Sequence, residues 1–354
     1  MARLGLDSNG VVAPTRMQYV TPGEATRTPA VKVSRLQQLM KTGAPHICIV
    51  RGEGIGDVIT TTPTIAALKG MFPTSLLTFA TNTKYLEGAL PKVLQYNPYL
   101  AQVIDRDNLN DSYDLVINLH CPAFSYEKRS NPPISRIDLF ANHAGVRLPD
   151  PVPQYFIQKQ EINTGADFLA PVYSDKLILV QPFASTPNRS LEHGVLKAAL
   201  VRLYNESGIH SVIITHSHDW KSDTIWGNIP GSVTLVDADI RQIAGVMVHC
   251  DLVLCPDSSI MHLAGALEVP TVAIFGPTHP AARINHYKNA VAIWGGEGMT
   301  PCPCWYEACP IGGACWKQVT SERIVESCLN HLSKTSRIKL QGVLRRKVLQ
   351  AEVL

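Results

Sequence analysis

The chain is poor in charged residues and contains no long apolar run. Charged residues make up 17% of its 354 positions and the formal net charge is only +3, so the composition does not argue for binding to nucleic acid or phosphorylated lipid. No run approaches the ~18 consecutive apolar residues of a membrane-spanning helix, and the amino end lacks the apolar core of roughly 7–15 residues that a signal peptide needs. We therefore expect a cytoplasmic protein, with peripheral contact at the inner membrane left open.

Cysteine is present but follows no disulfide pattern. The nine cysteines are an odd number, and most match no spacing of a secreted scaffold, which favours reduced thiols, a metal site, or both. Hydrophobic residues account for 45% of the chain, which is enough for sizeable cores. A chain of this length predicts about two domains.

One βαβ unit organises the carboxyl-terminal half. Asp251–Cys255 and Val269–Phe275 are apolar runs of strand length, and Ile260–Leu267 between them is composed of helix formers. The polar sequence Pro256–Ser259 separates the first strand from the helix. Such a turn lies at the carboxyl end of a parallel strand, where free backbone N–H groups and the helix dipole favour an anion.

Polar side chains in and after this turn fit the binding of a phosphate. Ser258 and Ser259 offer hydroxyl groups, and His262, one turn into the helix, can reach the same side. The alternative is architectural, with Asp257 or Ser258 as a helix N-cap and His262 as a satisfied buried histidine. The four residues together at one strand-to-helix turn favour binding.

The same stretch resembles the signature of glycosyltransferase family 9, the heptosyltransferase family. That signature reads D-[ST]-G-x-x-H-L-A-A-A-L, followed by an apolar strand and F-G-P-T-x-P. The matching residues are Asp257, Ser258, His262, Leu263, Ala264, Ala266, Leu267, Phe275, Gly276, Pro277, Thr278 and Pro280. Ser259 stands where the family usually has glycine, the residue that best permits close approach of a backbone to a ligand.

A glycine-rich turn follows the first predicted strand, His46–Val50. Gly52, Gly54 and Gly56 lack the spacing of a dinucleotide-binding fingerprint and the Lys-Ser/Thr of a P-loop. With the helix that follows, the segment resembles the amino-terminal signature of the family, G-x-G-D, then T-x-P and A-L-K, then F-P. The matching residues are Gly54, Gly56, Asp57, Thr62, Pro63, Ala67, Leu68, Lys69, Phe72 and Pro73.

The resemblance implies that Asp57 is the catalytic base. A sugar transfer that inverts the anomeric carbon needs a base for the acceptor hydroxyl's proton and a group that holds the leaving diphosphate. A carboxylate at the amino end of a helix, on a glycine turn that substrate can approach, suits the first task. From the residues alone, Asp57 could equally be a helix N-cap.

The resemblance also places the acceptor beside the amino-terminal sheet. We expect Gly54 and Gly56 to permit its approach, and His120 and Arg136 to meet its phosphates or carboxylates; a solvated polar segment is the alternative. Further strands are predicted at Leu76–Thr81, Val103–Asp105 and Asp114–Leu119, and a helix that closes the first domain at Arg136–Leu148.

A second phosphate contact is implied in the carboxyl-terminal half. Arg189 stands where the family has lysine, and a cation there would neutralise the donor's phosphates as charge builds on the leaving group. Ser185 and Thr186 would add hydroxyl contacts. A plain surface cation is the alternative for Arg189.

The nucleotide pocket is expected to differ in detail from the family pattern. His216 and His218 replace two glycines of the family, so the pocket is reshaped there. Asp219 could bind a ribose hydroxyl, and the nucleotide base would pack at Ala238. The two histidines also suggest a metal, but without a third placed ligand we prefer a non-metal role.

Four cysteines, at Cys302, Cys304, Cys309 and Cys315, form a cluster near the carboxyl end. Four thiolates could close a tetrahedral structural zinc site, although this spacing is not that of a standard ribbon or knuckle. A reduced or partly disulfide-bonded loop is the alternative.

These patterns predict an α/β protein of the GT-B architecture, with two Rossmann-like domains whose parallel sheets face a central cleft. The predicted segments are a flexible extension over residues 1–45, an acceptor-side domain over 46–160, a nucleotide-sugar-binding domain over 172–332 and a basic helix or tail over 333–354. The tail would pack on the protein itself or lie on an anionic membrane or nucleic acid.

The predicted function is inverting, metal-independent transfer of heptose or another hexose-like sugar from a nucleotide-diphosphate donor, with an ADP-sugar favoured. The acceptor would be a hydroxyl of a glycan or lipid-linked molecule of the lipopolysaccharide type, and the protein a monomer or weak dimer. No cofactor is required if the helix dipole and a cation neutralise the diphosphate. Alternatives are another acceptor such as hydroxymethylated DNA, a sugar-nucleotide epimerase or hydrolase, and a catalytically inactive nucleotide-sugar-binding protein.

Overall fold

A computed structural model describes residues 31–110, 112–120, 133–172, 176–216, 226, 228–304, 309 and 311–334. The chain divides into two units, with the division between Tyr155 and Phe156. Each unit contains one parallel β-sheet, so the α/β class and the two parallel sheets of the GT-B prediction are confirmed. Among the described residues, no helix combines the length and apolar character that crossing a bilayer would take.

The first unit has a four-stranded sheet in its described part. Its helices are α1 (Val33–Leu39), α2 (Ile55–Met71), α3 (Ala89–Leu94) and α4 (Arg136–Ala144), and its strands are β1 (His46–Val50), β2 (Leu76–Thr81), β3 (Gln102–Asp105) and β4 (Leu115–Asn118). The strand order is β3-β2-β1-β4, and all neighbours are parallel. β1 is buried at four of its five positions because it lies inside the sheet.

Residues 31–39, expected within a flexible extension, pack on this unit. Leu36 and Leu39 of α1 are both only 2% exposed. The backbone N–H of Val31 donates to the carbonyl oxygen of His143 over 2.8 Å. The sequence of Val33–Met40 allows two helical turns, and the apolar side chains of α1 belong to the core of the first unit.

Helix α2 continues through a proline. Pro63 has no N–H to offer the carbonyl of Ile59, four residues earlier, and proline inside a helix normally breaks that bond. The hydroxyl of Thr62 donates to that carbonyl over 2.7 Å and satisfies it. The helix therefore runs unbroken from Ile55 to Met71, and its first turn carries Asp57.

The second unit has a six-stranded sheet in its described part. Its helices are α5 (Lys159–Leu169), α6 (His193–Ser207), α7 (Ile240–Met247), α8 (Ser259–Leu267), α9 (Ala281–Ile284), α10 (Ala314–Lys317) and α11 (Ser321–Lys334), and its strands are β5 (Leu177–Val180), β6 (His210–Thr215), β7 (Ser232–Val236), β8 (Leu252–Pro256), β9 (Thr271–Phe275) and β10 (Ala290–Trp294). The strand order is β10-β9-β8-β5-β6-β7, and all neighbours are parallel.

Helices α5, α9 and α10 and strand β10 are elements that the sequence patterns did not indicate. α5 lies in the polar stretch read as an inter-domain boundary, yet it packs on α7, where a Cβ on Gly165 would come within 2.0 Å of the Gly245 carbonyl oxygen. Glu161 and Arg241 form an ion pair between the same two helices. β10 is an edge strand whose five residues are all apolar, and two of its positions are exposed.

Both sheets contain a topological switch point, which is where open parallel sheets bind ligands. In the first sheet the chain winds outward from β1 in one direction and returns to place β4 on its other side. In the second sheet the same reversal occurs between β5 and β8, where Val180 pairs with Leu254. The loops that leave the carboxyl ends of these strand pairs carry most of the predicted site residues.

Candidate functional site

The carboxyl end of β8 holds a buried carboxylate at the switch point of the second sheet. Asp257 is 3% exposed and lies directly before the helix α8. Arg283 Nε lies 3.5 Å from its Oδ1, and Arg189 Nη1 lies 3.7 Å from its Oδ2. Two cations from different loops therefore converge on one carboxylate.

The charge of Asp257 is stabilised by this surrounding. Burial raises the pKa of the carboxyl group, but Arg283, Arg189, His262 and a hydrogen bond from Thr278 lower it more, so that its pKa falls below the usual value. The carboxylate is thus ionised at neutral pH. The family resemblance implies that Asp257 holds a sugar hydroxyl or orders the turn, and its contacts with Arg189 and Arg283 are consistent with the second role.

Ser258 occupies the N-cap position of α8 without capping it. Its side chain makes no cap hydrogen bond, and its buried Oγ has no hydrogen-bond partner among the described residues. Asp257 Oδ2 also lacks a hydrogen bond there. Buried polar atoms left without partners are rare, and Ser258 Oγ is a possible donor beside the N–H groups of a helix amino end, which suits an anionic ligand. Ser259, predicted to lie in the turn, is the first residue of the helix.

Arg189 is held in place by the hydroxyl groups predicted to lie near it. Its Nε donates to Thr186 Oγ1 over 2.9 Å and its Nη2 to Ser185 Oγ over 2.5 Å. Its Nη1 donates to the carbonyl oxygen of Asp257 over 3.3 Å. Ser185 and Thr186 therefore orient the guanidinium in this structure, and the loop after β5 is joined to the turn after β8.

Trp316 supports the Arg189 loop, a role the sequence did not reveal. Its indole Nε1 donates to the carbonyl oxygen of Asn188 over 2.9 Å. The ring lies against Gly276, where a Cβ would come within 2.3 Å of it. The glycine of the F-G-P sequence thus makes room for the tryptophan that anchors the short 3-10 helix Pro187–Arg189.

His262 and Arg283 complete the cluster around Asp257. His262 is 5% exposed on α8, and its Nδ1 lies 2.5 Å from the hydroxyl of Tyr287. Arg283, on the short helix α9, is also 5% exposed. Arg283 is the first cation after the F-G-P-T-H-P sequence, and this position is the signal that could have indicated it from the sequence.

Of the remaining donor-side residues, Ala238 and His216 lie within the described chain. Ala238 is 8% exposed and follows β7, at the same carboxyl edge of the sheet. His216 Nδ1 lies 3.7 Å from an oxygen of Asp237, and both side chains are about half exposed. Asp219 and His218 lie outside the described residues.

In the first unit, Asp57 is paired with two arginines. Arg51 bonds one carboxylate oxygen and Arg136 the other, and the three side chains are 6%, 14% and 13% exposed for Arg51, Asp57 and Arg136. The two guanidinium groups favour the ionised form of Asp57. Arg136, predicted on the acceptor side, therefore contacts the predicted base directly, and Arg51, the residue after β1, was missed.

Gly54, not Asp57, is the N-cap of α2. Its φ of +85° is a conformation that favours glycine, and a Cβ there would come within 2.9 Å of Asp57 Oδ2. Asp57 stands three positions later, in the first turn, with Gly56 beside it. The N-cap alternative for Asp57 is therefore wrong, and the glycine leaves room for the carboxylate.

His120 follows β4 at the same switch point. Arg51 Nη1 donates to its carbonyl oxygen over 2.8 Å. Burial, and then the charge of Arg51, lowers the pKa of the His120 imidazole, so the ring is neutral at neutral pH. Burial raises the pKa of the Tyr85 phenol, and the negative charges of Glu53 and Asp57 raise it further. Tyr85 is therefore near the Asp57 carboxylate.

The cysteine cluster does not form a metal site in this structure. The described residues include all four predicted ligands, and among those residues no three His, Cys, Asp or Glu side chains are placed to hold a metal ion. Cys309 Sγ instead accepts the N–H of Gly313 over 3.0 Å. Burial, followed by the neighbouring thiols, raises the pKa of Cys302 to about 12.

Comparison with known proteins places these features in one family. The model of the family described as "Glycosyltransferase family 9 (heptosyltransferase)" matches residues 125–312, which are more than half of the chain. Lipooligosaccharide heptosyltransferase 2 of Campylobacter jejuni subsp. jejuni serotype O:2 is 31% identical over 97 residues, which are 27% of this chain and 30% of that protein. The matched part thus spans under a third of this curated relative.

Solved structures share the fold at low sequence identity. A family 9 glycosyl transferase from Veillonella parvula DSM 2008 has a TM-score of 0.66 at 17% identity, covering 82% of this chain and 98% of its own. The ADP-heptose lps heptosyltransferase II of E. coli has a TM-score of 0.56 at 14% identity, covering 82% and 99%. The iron-containing dodecameric glycosyltransferase TibC from enterotoxigenic E. coli has a TM-score of 0.59 at 13% identity, covering 82% and 76%.

With a family match over more than half of its length and a fold common to these structures, the chain belongs to glycosyltransferase family 9, the heptosyltransferase family.

Proposed function

We propose that this chain transfers a sugar from a nucleoside-diphosphate sugar to a hydroxyl group, with inversion at the anomeric carbon. The observation that carries the proposal is the turn after β8. There Ser258 Oγ, which has no hydrogen-bond partner in the part of the chain that the structure describes, lies with the amino end of α8 and Arg189 at the switch point of the sheet. These groups suit a diphosphate better than an uncharged ligand.

The donor diphosphate would lie against this turn. The N–H groups of the first turn of α8 and the Ser258 hydroxyl would hydrogen-bond its oxygens, and Arg189 would neutralise charge that grows on the leaving group. We favour an ADP-sugar, with heptose as the first sugar to test, because the similar E. coli structure is that of an ADP-heptose lps heptosyltransferase.

The transfer itself is a single substitution at the anomeric carbon. The acceptor oxygen forms a bond to that carbon while the bond from the carbon to the diphosphate oxygen breaks, and the nucleoside diphosphate leaves with the electron pair. Attack opposite the leaving group inverts the anomeric configuration. Asp57 takes the proton of the acceptor hydroxyl.

The pairing of Asp57 with Arg51 and Arg136 has two consequences for this role. It keeps the carboxylate ionised and therefore available as a base at neutral pH. It also makes the carboxylate a weak base, so the proton would transfer late, once the acceptor oxygen has begun to bond carbon. The competing role is architectural, because the same ion pairs join the end of β1, α2 and α4.

We propose that the chemical step needs no metal, because α8 and Arg189 supply the neutralising charge. TibC is described as iron-containing, so the metal content of the purified chain should be measured as well. For the acceptor we propose a lipopolysaccharide-type glycan, from the names of the C. jejuni and E. coli proteins. Hydroxymethylated DNA is the contrasting acceptor to include in the test.

Asp57→Asn is the experiment that tests the function. Binding of ADP-, UDP-, GDP- and dTDP-sugars would be measured by calorimetry on both proteins, and transfer assayed with glycan and DNA acceptors. We expect one donor to bind both proteins equally, and transfer to fall by about 10²- to 10⁴-fold in the variant. Asp167→Asn, an exposed carboxylate of α5, is the matched control.

The outcomes separate the possible roles. Donor binding without transfer to any acceptor, in the unaltered protein, would favour an inactive binding protein. Retained transfer in Asp57→Asn would make the ion pairs of Asp57 architectural. NMR of the product sugar gives its anomeric configuration, and retention of that configuration would contradict the single substitution.

A further inference from the structure

Tyr287 makes a buried hydrogen bond to the histidine of the α8 turn. Its hydroxyl lies 2.5 Å from His262 Nδ1, and the two rings meet edge to face with centroids 5.9 Å apart. Tyr287 is 6% exposed and His262 is 5% exposed, so bulk water does not compete for the hydrogen bond between them.

The direction of this hydrogen bond follows from burial. Desolvation raises the pKa of the Tyr287 phenol well above its usual value, so the hydroxyl keeps its proton. Within the described chain, His262 Nδ1 is the group placed to accept that proton. Tyr287 therefore donates to Nδ1, and a neutral imidazole bonded in this way carries its own proton on Nε2.

Gly265 permits this contact. It lies three residues after His262 on α8, and a Cβ at this position would come within 2.7 Å of the Tyr287 ring. Any larger residue would push the ring away from the helix. The absence of a side chain at Gly265 thus sets the position from which the phenol reaches the imidazole.

The segment around α9 supports the turn at two points. Arg283 contacts the Asp257 carboxylate, and Tyr287, four residues later, bonds His262. The N–H of Tyr287 donates to the carbonyl oxygen of Ile284 over 2.9 Å. Because Ile284 directly follows Arg283, this bond holds Tyr287 and Arg283 within one turn of backbone.

We propose that Tyr287 is a positioning residue for His262: its hydroxyl fixes the imidazole as the Nε2–H tautomer, which presents that N–H to the donor diphosphate. The inference rests on the function proposed above. His262 is the fourth residue of α8, one turn from the helix amino end where the donor diphosphate is proposed to lie. Without the hydroxyl, the proton can move to Nδ1 and the ring loses the contact that orients it.

Tyr287→Phe, with its ring retained, tests this directly. ¹⁵N NMR of the full chain labelled in histidine reports which imidazole nitrogen carries the proton, with the His262 signals assigned by their loss in His262→Gln. We expect an unprotonated Nδ1 in the unaltered protein and a mixture of tautomers in Tyr287→Phe. We expect the affinity for ADP, measured by calorimetry, to fall roughly three- to tenfold with loss of one hydrogen bond.

Two further variants sharpen the test. Tyr204→Phe is the matched control, because Tyr204 also meets a histidine ring edge-on, that of His210, with centroids 5.3 Å apart. This variant should leave both the tautomer of His262 and the affinity for ADP unchanged. Gly265→Ala keeps the hydroxyl but displaces the ring, and it should reproduce the change seen in Tyr287→Phe.

A protonated Nδ1 in the unaltered protein would overturn the proposal, as would equal ADP affinity in the unaltered protein and Tyr287→Phe. The latter result would leave the proposed donor site intact. If none of ADP, UDP, GDP and dTDP binds the unaltered protein, the donor site itself is wrong, and the role of Tyr287 falls with it.

Discussion

Arg189 Nη1 donates to the main-chain carbonyl oxygen of Asp257 over 3.3 Å, and this contact joins the two loops that meet at the switch point of the second sheet. The guanidinium is further held by Ser185 and Thr186. Its orientation is thus set before any ligand arrives, which lowers the entropy cost of binding an anion there.

Replacing Arg189 should weaken donor binding. We expect Arg189→Ala to lower the affinity for ADP by about 10- to 100-fold, since a charge-assisted hydrogen bond contributes about 1.5–3 kcal/mol, and Arg189→Lys to lose less. Calorimetry gives the affinities. Arg202→Ala, which removes an exposed i,i+4 pair with Glu206 on α6, is the control and should leave binding unchanged.

Trp316→Phe should loosen the Arg189 loop without touching the ligand. The variant loses the hydrogen bond to Asn188 and the indole atoms that lie nearest Gly276, so we expect ADP affinity to fall by roughly three- to tenfold. Trp294→Phe loses an indole hydrogen bond to Gly276 instead of one to the loop and serves as the control. Equal affinities in the two variants would argue against loop support by Trp316.

The first unit should lose stability as the pH falls below neutrality. Burial lowers the pKa of His143 from 6.5 to about 4, so the unfolded chain binds a proton over this window that the folded chain does not. The stabilisation is complete above pH 6.5 and declines as the pH falls toward 4, by about 3 kcal/mol in all.

Urea unfolding at a series of pH values measures this effect. His143→Gln should flatten the pH dependence between 6.5 and 4, whereas His216→Gln, an exposed site, should leave it as in the unaltered protein. An unchanged slope in His143→Gln would assign the acid sensitivity to other groups.

Metal removal should not change the stability of the reduced protein. Since the described thiols and carboxylates form no cluster of three around a metal position, we expect no stoichiometric zinc in protein purified under reducing conditions. Elemental analysis and thermal unfolding with and without a chelator measure both properties. One zinc per chain, with a fall in Tm on chelation, would restore the four-cysteine site.

The βαβ pattern around Asp257 shows which elements local sequence patterns predict correctly. The apolar runs on either side of the turn predicted β8, α8 and β9 because buried parallel strands and short helices have distinct patterns of apolar residues. By contrast, α5 was missed because its contact with α7 is made through backbone at Gly165 and Gly245, which leaves no apolar stripe to detect.

The sequence by itself determined the α/β class, the two strand-to-helix turns and the residue types in them, since these depend on local periodicity and on turn chemistry. Only the tertiary structure decided which residues meet. Strand order brings Arg189 to Asp257 across 68 positions, and helix packing brings Arg136 to Asp57 across 79. Arg283, Tyr287 and Trp316 became part of the site for the same reason. Contacts between residues so far apart are fixed by sheet topology and packing, which no local pattern encodes.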